Sequence, residues 1–92
     1  MSNLQSFESV WDALEDDPII AENMKLRSML LIAITKNIES RNINQTATAE
    51  LLEITQPRVS ALLKGKIEDF RLDTLVNIAH RLGLHIDLKI AA

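Results

Sequence analysis

The chain has no cysteine and no tyrosine, and its 92 residues include only two glycines, two prolines and three aromatic side chains. Without cysteine there is neither a disulfide framework nor a Cys-ligated zinc site, and His80 and His85 lack the ligand cluster that a metal needs, so neither metal nor cofactor is expected. The shortage of Gly, Pro and aromatics points to helices built on Leu, Ile and Ala. The most apolar stretch, Met29 to Ile34, is far too short to span a bilayer. The N-terminus has no basic region leading into an apolar run, which suits a cytoplasmic protein. There is also no glycine-rich phosphate loop, no Ser/His/Asp set and no supported carboxylate pair, so no catalytic residues and no enzymatic activity are expected. A chain of this length holds one small domain, and a dimer interface would add to its modest buried surface.

The formal net charge of −3 conceals an asymmetry. Residues 1 to 23 carry Glu8, Asp12, Glu15, Asp16, Asp17 and Glu22 and no Lys or Arg, whereas residues 24 to 92 carry all ten basic side chains against seven acidic ones. An acidic arm thus precedes a mildly basic body, and a body of that kind is compatible with nucleic acid where its cations gather on one face.

Periodicity divides the chain into an arm (residues 1–18), a helical body (19–83) and a tail (84–92). In the arm, Phe7, Val10, Trp11 and Leu14 are spaced for one short helix, which Asp16, Asp17 and Pro18 interrupt. A long helix is expected from about Ile19 to Arg41, with Asn42 as its stop. Asn44 caps a second helix from Gln45 to about Glu53, and Thr55 caps a third that carries Pro57 in its first turn and ends at Gly65. A further helix runs from about Leu72 to Leu82, closed by Gly83. The expectation is an all-α fold of about five helices. In the tail, Leu84, Ile86, Leu88 and Ile90 alternate strictly with polar residues, the two-residue period of a half-buried strand. With no second alternating run to pair with, that strand is expected to pair with its copy in a homodimer.

The segment from about Asn44 to Lys64 reads as two helices joined by a tight turn, a helix-turn-helix. Ala49 is small enough for a close crossing, and Ile54, Val59 and Leu62 fill the angle. The second helix of the pair would enter the major groove of double-stranded DNA. Gln56 can pair bidentately with adenine, Pro57 and Ala61 can lie against a thymine methyl, and Arg58 can take guanine or phosphate. Gln45, Thr55, Ser60, Lys64, Lys66 and Arg71 would contact the backbone and set register.

These residues resemble the lambda-repressor-like helix-turn-helix regulators of the Xre type. The resemblance covers about residues 25 to 83 and rests on Gln45, Ala49, Leu52, Ile54, Thr55, Gln56, Val59, Ser60, Leu62, Gly65 and Lys66. It implies DNA contact by Gln45, Thr55 and Gln56. Where the family usually has Gly in the turn, this chain has Glu53, so a strained, displaced or reshaped turn is expected there. Phe7-Glu-Ser-Val-Trp-Asp-Ala-Leu14, the Gln-Pro-Arg-Val-Ser run and Gly65-Lys-Ile-Glu-Asp-Phe70 together resemble the HigA-like antitoxin branch. That resemblance implies repression of the chain's own operon and a small toxin partner, with the acidic arm covering a basic toxin surface. The reading from another class is a protein-interaction module using the same helices and arm; the basic residues from Arg58 onward weigh against it.

Overall fold

A computed structural model describes residues 17–92 of the chain. The arm helix expected around Phe7 to Leu14 lies outside the described residues. Four α-helices form among those described: α1 (Pro18–Ser40), α2 (Gln45–Leu52), α3 (Gln56–Leu63) and α4 (Leu72–Arg81), with a 3₁₀ turn, η1 (Ile67–Asp69), between α3 and α4. The count of five expected from sequence is therefore not reached among the described residues, and η1 was not anticipated. No described helix is long and apolar enough to cross a membrane.

Local chemistry sets the helix starts. Asp17 accepts the amide of Ile19 at 2.9 Å and Pro18 occupies the first turn of α1, where its missing amide costs nothing. Asn44 accepts the amide of Ala47 at 2.8 Å to open α2, and Thr55 accepts that of Arg58 at 3.4 Å to open α3. The α1 helix is long enough to run the length of the domain, and its Leu31, Ile34 and Ile38 face a core completed by Leu52, Leu62, Phe70, Leu75 and Ile78. α4 packs along α1, while α2 and α3 pack chiefly on each other. Phe70, straight after η1, is fully buried and anchors the α3–α4 connection.

Each helix ends in a left-handed residue: Asn42 (φ 53°), Glu53 (φ 55°), Gly65 (φ 74°) and Gly83 (φ 77°). The last three build the same terminus. After α2, the Ile54 amide donates to the Ala49 carbonyl at 3.1 Å and Glu53 to Glu50 at 3.3 Å; after α3, Lys66 donates to Ala61 and Gly65 to Leu62, each at 3.1 Å. After α4, Leu84 donates to Ala79 at 2.9 Å and Gly83 to His80 at 3.0 Å. This Schellman pattern pairs carbonyls that a helix end otherwise leaves open.

One expectation, the tail strand, is corrected here. In the turn between α2 and α3 Glu53 takes up the left-handed conformation, which costs a non-glycine residue about 1–2 kcal/mol. Arg81, at the end of α4, forms an ion pair with its carboxylate. The tail, residues 84–92, is not a strand. Leu84 belongs to the Schellman terminus of α4 and packs against the core, so it is not part of a free apolar edge. From His85 onward the backbone makes no hydrogen bond among the described residues, and strand structure exists only as part of a ladder.

The left-handed turn makes a test. Glu53→Gly relieves the backbone strain and Glu53→Ala keeps it, while both lose the ion pair with Arg81. The Gly variant is expected to be the more stable by roughly 1 kcal/mol in urea denaturation, the reverse of the order inside a helix. An Ala variant as stable as the Gly variant would show that residue 53 is not left-handed in solution.

Candidate nucleic-acid interface

The short turn after α2 sets α3 across it, so that the first turns of the two helices lie beside each other. Ala49, Leu52, Val59 and Leu62 are buried at or near the crossing, and Val59 and Leu62 are fully enclosed. Thr48 is also buried, its hydroxyl donating to the Asn44 carbonyl at 2.8 Å, which settles its polarity inside its own helix. With these residues turned inward, Gln45, Thr46, Thr55, Gln56 and Pro57 are left exposed on one surface.

One hydrogen bond ties this surface together. The Gln56 Nε2 donates to the Thr46 Oγ1 at 3.1 Å, linking the first turn of α3 to that of α2. A primary amide has two N–H donors and an acceptor oxygen, so Gln56 keeps one donor and its Oε1 for an outside partner. The helix starts add partial positive charge, and the N-cap bonds of Asn44 and Thr55 satisfy only one amide each.

The other residues expected at the site divide into two groups. Lys64 and Lys66, at the far end of α3, are exposed and form no ion pair among the described residues. Ser60 is half-buried on α3. Arg58, by contrast, is engaged within the fold: its Nη1 donates to the Asp69 carbonyl at 2.9 Å and its guanidinium carbon sits 4.3 Å from the centre of the Phe70 ring. Ala61 packs against the core rather than standing open to a thymine methyl. Arg71 is exposed and pairs with Asp73 at 3.6 Å. Glu68 and Asp69, exposed on η1, offset part of the positive charge of Lys64 and Lys66.

Two residues were missed in the sequence. Thr46 carried no signal of its own, since its bond to Gln56 depends on how the helices cross. Phe70 was visible as an isolated aromatic after an acidic pair, but its role as both core anchor and platform for Arg58 arises only from the η1 turn. Among the described residues no group of His, Asp or Glu could hold a metal ion. The tail positions Ile86 and Leu88 lie away from this surface, beside α1 and α4, and Leu88 and Ile90 are largely exposed.

A family model described as a helix-turn-helix domain matches residues 13–91 of the chain. No curated protein matches it.

The Arg58 contacts set a side chain used for folding apart from those left exposed. Arg58→Ala is expected to destabilise the free protein by about 1–2 kcal/mol, through the lost cation–π contact and charge-assisted hydrogen bond. Lys64→Ala and Lys66→Ala should leave stability within roughly 0.5 kcal/mol. Denaturation midpoints of the three variants without DNA decide it, and an unchanged Arg58→Ala midpoint would return Arg58 to the set of free reading residues.

Proposed function

The chain belongs to the helix-turn-helix domain family, and from that premise we propose that it is a sequence-specific DNA-binding regulator that represses by occupying its operator. The observation that carries this reading is the Gln56–Thr46 bond across the paired helix starts. It holds the Gln56 amide so that the remaining N–H and the Oε1 can meet N7 and N6 of adenine in the major groove. Pro57 beside it offers a small apolar surface for a thymine methyl. Lys64, Lys66 and the exposed helix-start amides supply phosphate contacts, which fix register and make affinity fall with salt.

The regulator acts as a homodimer on two half-sites, its recognition helices about 34 Å apart so that both enter successive turns of the major groove on one side of the duplex. The acidic arm, with no basic residue before Lys25, suits a basic protein surface, and the reading extends to an antitoxin whose toxin partner is neutralised through that arm while the body holds the operator. The two activities occupy different parts of the chain and are separable by experiment.

The test titrates the protein onto labelled DNA from upstream of its own gene, and onto a shuffled duplex, at two salt concentrations by fluorescence anisotropy. Tighter, salt-sensitive binding to the upstream DNA is expected. Gln56→Ala should lose about 1–3 kcal/mol on that site and little on the shuffled duplex. Equal losses on both remove Gln56 from base reading, and equally weak binding of the unaltered protein to both sinks the proposal.

A further inference from the structure

The first half of α1 carries an apolar stripe outside the core. Ile19 stands at its start, 81% exposed, and Met29 near its end, 38% exposed. Pro18, Ile19 and Leu26 line a hollow at the beginning of the helix, and Leu26, Met29 and Leu30 form one wall of a groove of about 470 Å³ against α4 and the tail. Leu26 belongs to both, so hollow and groove join into one surface. No residue of α2 or α3 contributes to it, so covering it leaves the DNA-facing helix starts open. The chain that leads into this stripe, residues 1–16, carries a matching one: Leu4, Phe7, Val10, Trp11 and Leu14 recur at the three- and four-residue spacing of one helix face.

We infer that this N-terminal segment folds back on α1 as a helical hairpin and covers the stripe within the same molecule. Asp17 is extended ahead of Pro18, so a helix in the arm cannot run on into α1. Only Glu15, Asp16 and Asp17 separate Leu14 from Pro18, a connector of the length that joins antiparallel helices. At about 1.5 Å of rise per residue, antiparallel register brings Leu14 opposite Ile19, Phe7 opposite Leu26 and Leu4 opposite Met29, each run about 15 Å long. The tether favours this occupant over a second copy, because a short connector holds the arm at an effective concentration in the millimolar range. Glu8, Asp12 and Glu15, spaced four and three apart, form a row about 100° around the arm helix from its apolar face, and that row stays outward. Under the arm reading above, on which this last point rests, the acidic row is what a basic partner meets, while Phe7 and Trp11 are withheld from it until the arm leaves α1.

Two features of the composition make the hairpin directly readable: Trp11 is the single tryptophan, and there is no cysteine. In the full chain, Trp11 emission is expected to be blue-shifted and several-fold less open to acrylamide quenching than in a synthetic peptide of residues 1–16. Ile19→Asp, at an exposed position where a helix start tolerates an acid, should return both readings most of the way to those of the peptide while circular dichroism stays unchanged. The register is read by cross-linking. Phe7→Cys is combined with Leu26→Cys, or with Glu39→Cys as an exposed control further along α1, and each full-length variant is oxidised mildly and run on a non-reducing gel. A tethered but undocked arm would favour the nearer pair only about twofold, by loop length alone. The hairpin is expected to close the Phe7–Leu26 pair within one chain roughly tenfold or more faster than the control. Peptide-like emission, indifference to Ile19→Asp, or no preference beyond twofold overturns the proposal. Cross-linking at the mass of a dimer also overturns it, since the occupant is then a second copy. The DNA titration judges the regulator reading separately.

Discussion

Helices of eight residues, the length of α2 and α3, are marginal in water by themselves, because nucleation costs more than so few hydrogen bonds return. The pair persists because it is closed at both ends and laid on the core that α1 and α4 build. The tightest closure is at Glu53. A left-handed residue there reverses the chain in the fewest residues, and the Ile54 amide reaching back to Ala49 locks the reversal. The angle between α2 and α3 follows from that turn and from the small side chain of Ala49. The meeting of Thr46 with Gln56 follows from the angle. A looser turn would leave the same residues on the surface without bringing them together.

The basic side chains show a division of labour that composition conceals. All five arginines of the chain have a partner within it, some of them at the surface: Arg27 with Asn23, Arg41 with Asn37 and the Leu82 carbonyl, Arg58 with Asp69 and Phe70, Arg71 with Asp73, and Arg81 with Glu53. The planar guanidinium has several fixed donors and suits such bridging better than a lysine ammonium does. Arg41 illustrates the use: from the end of α1 it donates to a carbonyl at the end of α4 at 2.8 Å, where a cation also complements the helix dipole. Lys64 and Lys66 are exposed and form no ion pair among the described residues. A count of Lys and Arg therefore overstates the positive charge left uncommitted at the candidate interface.

Much of this was legible in the sequence, for local reasons. Asn44 and Thr55 declare helix starts because a short side-chain oxygen next to a helical run has a nearby amide to accept; Asn42, Gly65 and Gly83 declare stops because they tolerate positive φ. The inward positions Val59 and Leu62 of α3 followed from their spacing. The tail was misread for a matching reason: alternation in sequence records which side of an extended segment is apolar, and it says nothing of whether a partner is present to form the ladder. Glu53 was harder still, since a strained backbone is tolerated only when the surroundings determine it.

By itself, then, the sequence determined the helical class, the helix-turn-helix and the candidate reading helix, because these rest on spacing within a few residues and on the side-chain chemistry of helix ends. Tertiary structure alone decided which members of the candidate site are held within the fold. Arg58 stands in the sequence as an equal of Gln56 and Lys64, and it diverges only when the chain between α3 and α4 folds back through η1. That step brings the Asp69 carbonyl and the Phe70 ring to Arg58, residues eleven and twelve positions away, through contacts that no local pattern encodes.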